Sequence, residues 1–363
     1  MSSGKSVSII DIDSSGIRIL LRLIRGGVNV VYCPFIPTGG FRRMRVDPGT
    51  KRALLTAINE GLLAEGRYQA EIARHDVVLV SYAGMLREQV DARDVTYVYE
   101  LMRRRGKERA HVIHVGLHRL GQMDRFLEVL RPAEKGMNAY FIPYPPLMRR
   151  ILPVAGPDIG NEISHVMTIL AGRAQILPGL SYLEAEAIAL LTILAKAADY
   201  ASIVELAQML IRGYGVAFSK RTRGVLRSIG GTRWILFERL IRDLLSDLEA
   251  RELGRALLAR AACRLYDDVP KLLDLLMRPE VLGRRVRSIL VIGPRPAFIE
   301  ALKNKYVVKH VTAGEFLEKG VKQSVDLVIL TTSSTRVSEA IGSSVLANSI
   351  ILDLNTFSLI RGD

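Results

Sequence analysis

The sequence predicts an α/β protein in which two doubly wound parallel-sheet lobes flank a central all-helical domain with a long helix. Three observations carry this. Apolar runs of strand length alternate with helical patterns over residues 1–180, a proline-free run of helical spacing fills 181–215, and the alternation returns from about 283. Strands separated by helices build parallel sheets with right-handed crossovers. The expected domains are therefore 1–180, 181–282 and 283–363.

In the first lobe the strands are expected at VSII (7–10), NVVYC (29–33), DVVLVS (76–81), AHVIHV (110–115) and AYFIP (139–143). Helical patterns lie between them, notably at 50–66 and 95–106, and another follows at about 164–172. The stretch SYLEAEAIALLTILAKAADYASIVELAQMLIRGYG (181–215) is apolar nearly all round, so much of that helix is expected to be buried. Helices at 235–266 and 269–278 complete the middle domain. The last lobe offers strands at 288–293, 306–311, 325–332 and 348–354, with helices at about 296–303, 313–319 and 335–342.

The composition is that of a globular chain of 363 residues, 49% apolar and 24% charged. No apolar run is long enough to span a bilayer, and Asp11 and Asp13 interrupt any signal-like segment. Two cysteines, Cys33 and Cys263, support neither a disulfide framework nor a zinc cluster. A cytoplasmic protein without membrane contact is expected. The charge is distinctive: 12 lysines and 39 arginines leave a net +14, which favours phosphorylated or polyanionic partners. A general compositional bias toward arginine accounts for the same excess.

The opening segment, VSIIDIDSSGIRILLRLIRGGVNVVYC (7–33), has the strand, turn, helix and strand of a Rossmann-like βαβ unit. Its three glycine positions hold Asp11, Asp13 and Gly16. Together with SYLEAEAIALLTILAKAADYASIVELAQML on the long helix and VDLVILTTSSTRVSEAI…SIILDLNTF near the end, it resembles the nucleotide-sugar dehydrogenases of the UDP-glucose and GDP-mannose dehydrogenase family. That resemblance implies an NAD-binding first lobe, a dimerising central helix beginning Glu184-Ala185-Glu186, and a nucleotide-sugar-binding last lobe closing on Asn355-Thr356-Phe357. It also implies two successive NAD-dependent oxidations at the sugar's C6 through a cysteine thiohemiacetal.

The side chains at the matched positions depart from that chemistry. Asp11 and Asp13 put negative charge where a pyrophosphate lies, and like charges about 4 Å apart cost roughly 4 kcal/mol even at an effective dielectric near 20. Asp13 with Ser14 and Ser15 reads more simply as the cap of the following helix. Pro34 stands where the ribose-binding acid ends the second strand. By the resemblance, Arg233 replaces the nucleophilic cysteine after Gly230-Gly231-Thr232, and Leu236 and Phe237 replace the lysine and aspartate that follow it. Ala189 and Ile193 replace the lysine and asparagine of the central helix, and YPPLMRR (144–150) lacks the family's glutamate. Strand ILVIG runs straight into PRPAFIEAL without the family's nucleotide-binding loop.

No catalytic residue is therefore assigned and no cofactor is expected. The chain reads as a non-catalytic homologue that binds a partner or serves as a scaffold. An atypical dehydrogenase that still holds NAD is the first alternative, and a nucleic-acid-binding protein the second. Eight basic residues between Arg212 and Arg242 face one acid, Glu238. Within them Arg221, Arg223, Arg227, Arg233 and Arg239 are the candidates for binding an anion or a partner, since guanidinium forks match phosphate and carboxylate. RRRGKER (103–109) is explained by a helix C-terminus. His111 and His114 are expected on opposite faces of a strand, with His118 in a loop, which disfavours a shared metal. Cys263 reads as a buried structural thiol, and TTSST (331–335) as a cap after a strand. A homodimer, or a heterodimer with a paralogue, is expected through the central helix.

Overall fold

The computed structural model describes residues 6–13, 15–36, 41, 46, 48–82, 92–117, 119–143, 151–214, 218–219, 242, 257–296, 298–321, 324–332, 334–342, 344, 346, 348–354 and 358–360. The chain divides into two units, one of residues 1–44 and 49–192, the other of 45–48 and 193–363.

The first unit carries β1 (Ser6–Asp11), α1 (Ile17–Arg25), β2 (Asn29–Pro34), α2 (Pro48–Asn59), β3 (Leu63–Glu65), α3 (Tyr68–Glu71) and β4 (Val77–Tyr82). It continues with α4 (Ala92–Arg105), β5 (His111–Gly116), α5 (Gln122–Leu130), β6 (Asn138–Pro143), β7 (Ile151–Ala155), α6 (Asn161–Ala171) and β8 (Gln175–Leu180). The eight strands form one sheet in the order β3-β2-β1-β4-β5-β6-β7-β8. Every pair is parallel except β6 with β7. The central strands β4 (VVLVSY) and β5 (HVIHVG) are buried along their whole length, as expected of parallel strands covered on both faces. The edge strand β8 is mostly exposed. Tyr99, Phe126 and Phe141 anchor the core on one side of the sheet with Val78, Val80 and Val112.

Helix α7 (Tyr182–Tyr214) runs for 33 residues, and the division between the units falls within it. The second unit continues with β9 (Phe218–Ser219), α8 (Leu257–Leu276), α9 (Pro279–Leu282), β10 (Ser288–Ile292), α10 (Ile299–Lys303) and β11 (Val307–Val311). Then come α11 (Ala313–Lys319), β12 (Leu327–Leu330), α12 (Thr335–Gly342), β13 (Ile350–Asp353) and β14 (Ser358–Ile360). Its sheet has the order β11-β10-β12-β13-β14-β9, with four parallel strands followed by the antiparallel β14. The α/β class and the two Rossmann-like sheets agree with the sequence reading.

Three local expectations need correction. The pattern at 50–66 is not one helix: α2 ends at Asn59, and Gly61, at φ +73°, reverses the chain into β3. Leu62 N then donates to Ala57 O, and β3 adds to the sheet edge beside β2. The patterns at 235–266 and 269–278 do not separate before Val269, because α8 carries Pro270 within it. Proline costs that helix one hydrogen bond, yet Val269, Leu272, Leu273 and Leu276 are all fully buried and hold the turns together. Strands β7, β8, β9 and β14 were not expected, the first two because Pro153, Pro178 and Gly179 interrupt their patterns.

Candidate functional site

In an open parallel sheet, ligands bind at the carboxyl ends of the strands, beside the first crossover. Here that place is filled by the protein's own side chains. Asp11 ends β1 and is 2% exposed. Its side chain folds back over the start of α1, so that a Cβ placed on Gly16 would lie 2.9 Å from Asp11 Cγ. The lack of a side chain at Gly16 is what admits the carboxyl group. From β2, Tyr32 Oη donates to Asp11 Oδ2 at 2.6 Å, and the phenol is itself fully buried. Pro34 pairs in register with Asp11, and Phe35 N donates to Asp11 O at 2.9 Å.

The rest of the turn is equally closed. Asp13, also buried, accepts Ser15 N at 3.1 Å. The hydroxyls of Ser15 and Ser81 are 2.7 Å apart, which ties the turn to the end of β4. Gly16, not Asp13, occupies the N-cap position of α1, and no side chain caps that helix. Asp13 thus stabilises the turn three residues ahead of the cap, correcting the expectation of an N-cap.

A dinucleotide does not fit these residues. Its pyrophosphate needs bare backbone and amide donors at the turn, and the Asp11 carboxyl takes that space while Pro34 offers no side-chain acceptor for a ribose diol. Tyr32 and Ser81 were missed by reasoning from sequence, and Ser15 was read only as part of the helix cap. The polar Ser81 closing an otherwise apolar strand, in register with Asp11, was the available signal.

The Glu184-Ala185-Glu186 motif of α7 has a structural use for each acid. Glu184 closes a capping box, with Glu184 Oε2 accepting Ser181 N at 2.8 Å and Ser181 Oγ accepting Glu184 N at 3.2 Å. Glu186 is 1% exposed and accepts Gly121 N at 2.6 Å and Met123 N at 2.7 Å, so its carboxylate meets the positive end of α5. Burial, then the neighbouring Glu186 and Glu128 charges, raises the Asp124 carboxyl above its ordinary value. Ala189 and Ile193, which the sequence resemblance set against a lysine and an asparagine, are buried and apolar.

His111 and His114 lie on opposite faces of β5 and do different things. His114 is fully buried, with Nδ1 2.6 Å from Tyr99 Oη and its ring stacked on Phe126. His111 stacks on Tyr140 and places Nε2 2.7 Å from Glu162 Oε2. Among the described residues no group of three or more His, Cys, Asp or Glu could hold a metal. His118, residues 144–150, and Arg221, Arg223, Arg227, Arg233 and Arg239 lie outside the described residues, as do Leu236 and Phe237. Of the basic segment's ends, Arg212 is exposed, and Arg242 pairs with Asp267 at 2.7 Å.

The remaining candidates are structural. Arg103, Arg104 and Arg105 fill the last turn of α4, and Lys107 pairs with Asp76 at 2.6 Å. Thr331 Oγ1 donates to Pro294 O at 2.7 Å, and Thr332 Oγ1 accepts Ser334 N at 3.4 Å ahead of α12. Cys263 is buried in α8, and Cys33 is buried with its thiol pushed up to about 12, by burial first and then by the Glu71 charge.

The two sheets and the long helix have the fold of the nucleotide-sugar dehydrogenases. The UDP-glucose dehydrogenase of the hyperthermophilic archaeon Pyrobaculum islandicum superposes with a TM-score of 0.67, covering 98% of this chain and 95% of that one at 16% identity. UDP-D-ManNAc dehydrogenase from Pyrococcus horikoshii gives 0.60 over 93% of both chains at 13% identity. The UDP-N-acetyl-mannosamine dehydrogenase Cap5O from Staphylococcus aureus gives 0.59 over 90% of this chain and 88% of that one at 12% identity. No protein-family model and no curated protein matches the sequence. Among the described residues no helix is long and apolar enough to cross a membrane.

Proposed function

We propose that this chain is a non-catalytic relative of the nucleotide-sugar dehydrogenases that works as a binding or scaffold protein. The observation that carries the reading is the Asp11 carboxyl lodged against Gly16 and held by Tyr32. A dehydrogenase of this fold needs the dinucleotide's phosphates at that place, and a buried acid opposes them by charge and by volume. The apolar Ala189 and Ile193 on α7 point the same way.

The partner is a second copy of the chain, or a paralogue, docked on α7. Leu183 and Leu191 are 51% and 61% exposed on this helix, and Leu206 and Met209 are 46% and 67% exposed farther along it. Leu183, Ala187, Leu191 and Ala195 recur every fourth residue and are all exposed, which makes a continuous small apolar stripe. Such a stripe gains stability when another helix covers it. The net charge of +14 favours an acidic or phosphorylated ligand for the assembly.

The test incubates folded full-length protein with UDP-glucose or GDP-mannose and NAD+, following absorbance at 340 nm, and titrates NADH against Trp234 fluorescence. No turnover is expected. Steady production of NADH would replace the reading with an atypical dehydrogenase.

A further inference from the structure

The second unit carries a basic pocket of about 580 Å³ at the amino ends of β10 and β11. Ligands of open parallel sheets use the opposite, carboxyl ends, so this pocket is separate from any inherited cofactor or sugar site. Arg285, Arg287, Lys303 and Lys305 line it, with Tyr306 and Val307, and no carboxylate is in the lining.

The pocket's cations are held from behind. Arg287 N donates to Asp326 Oδ2 at 2.9 Å, and Arg287 O accepts Val307 N at 3.0 Å, so the backbone that presents the guanidinium is fixed on both sides. Asp326 also accepts Ser288 N and Ser288 Oγ, each at 2.9 Å, and its own backbone carbonyl accepts Arg284 Nη2. Lys305 Nζ is 2.8 Å from Asp274, and Lys303 Nζ is 3.0 Å from Glu300. These acids balance the two lysines. Arg285 and Arg287 have no acid within ion-pair distance among the described residues, and both are exposed.

We propose that this pocket binds a nucleoside diphosphate. Two unneutralised guanidinium forks suit two phosphate groups, which accept the paired donors of an arginine. Lys303 and Lys305, already paired with Glu300 and Asp274, add ammonium donors to the same lining, and Tyr306 is its aromatic residue, the group that would pack on a base. The depression, of about 580 Å³, stays open to solvent and has room for a nucleotide. A nucleic-acid strand is disfavoured by the same facts, because sequence-tolerant strand binding uses a row of aromatic faces and Tyr306 is the single ring in this lining. The site is independent of whether the turn at Asp11 takes a dinucleotide.

The experiment is calorimetric titration of ADP into the full-length protein at about 0.1 M salt. One saturable site per chain is expected, with inorganic pyrophosphate competing. R285A/R287A should weaken ADP at least tenfold, while R173A, an exposed arginine of the first unit, should leave it unchanged. R285Q/R287Q keeps polar side chains without the charge and should lose the same factor, and circular dichroism verifies folding of each variant. The proposal is overturned if ADP fails to saturate by millimolar concentration or if R285A/R287A binds it as the parent does. It is equally overturned if a 20-nucleotide single strand binds through these arginines and ADP does not displace it. NADH also carries a diphosphate and is expected to occupy this pocket. NADH binding lost in R285A/R287A therefore belongs here, and binding retained in that variant counts against the reading of the first unit's turn instead.

Discussion

Tyr32 reaches from β2 to within 2.6 Å of the Asp11 carboxylate that ends β1, and both groups are buried. Two neighbouring parallel strands are thereby joined by a side-chain hydrogen bond at the place where relatives of this fold leave backbone open for a phosphate.

Tyr32→Phe removes that donor while keeping the ring, which packs 5.3 Å from Phe41. A hydrogen bond to a charged group contributes about 1.5–3 kcal/mol. The variant should be less stable by that amount in urea titration, with an unchanged m-value. A loss below about 0.5 kcal/mol would mean that the phenol is incidental.

Glu186 receives two backbone donors at the start of α5. Glu186→Ala leaves two buried amides without this acceptor and should destabilise the fold by about 3 kcal/mol, whereas Glu186→Gln retains an acceptor and should cost about 1 kcal/mol. Equal costs for the two variants would point to packing rather than to the carboxylate.

Cys33 gives an alkaline signature. The folded thiol is pushed up to about 12 from its ordinary value of 9.0, by burial first and then by Glu71. The unfolded chain ionises at the lower value, so stability is fully present below about pH 9 and falls as pH rises toward 12. The loss approaches about 1.4 kcal/mol per pH unit at most. Cys33→Ala should flatten this slope, and a thiol reagent at pH 8 should leave Cys33 unmodified until the protein unfolds. Rapid labelling of the native protein would contradict the burial.

At the acid end, Asp326 is informative. Burial pushes its carboxyl up, but the amides of Arg287 and Ser288, the Ser288 hydroxyl and the Arg284 charge outweigh this and hold it below the ordinary value. Its contribution is present above about pH 3.8 and fades as pH falls through the lower folded value. Asp326→Asn should therefore be destabilised at pH 7, and its deficit against the parent should shrink toward pH 3. A deficit independent of pH would show that the charge is not the cause.

The apolar stripe on α7 predicts a concentration-dependent assembly. Leu191→Glu places a charge at an exposed position, so the chain should keep its helical signal while sedimenting as a monomer where the parent sediments as a dimer. A parent that is monomeric at tens of micromolar would remove the dimer from the proposal.

The strands that were legible in the sequence are those buried on both faces, because a run such as VVLVSY leaves little else to form. Edge strands hide: β8 must tolerate Pro178 and Gly179, and its side chains are largely solvated. The pair of acids in the turn was visible, but what they do was not. Tyr32 reads as one more apolar strand residue until the fold sets it beside Asp11, 21 residues earlier. Glu186 reads as a motif residue, and its work depends on Gly121 and Met123, more than 60 residues before it. Local pattern carries the elements, and long-range hydrogen bonds carry the site.

The Glu186 contact also bears on how the gene can be cut. The first sheet is complete at Leu180, yet the amides that open α5 find their acceptor six residues later, and Tyr182 Oη donates to Ala139 O at 2.9 Å. A recombinant fragment stopped at residue 180 would contain every strand of that sheet and still lack these ties, so it should express as an aggregation-prone, loosely packed chain. Extending it by the dozen residues to Thr192 restores all three bonds and should yield a product suited to spectroscopy on its own.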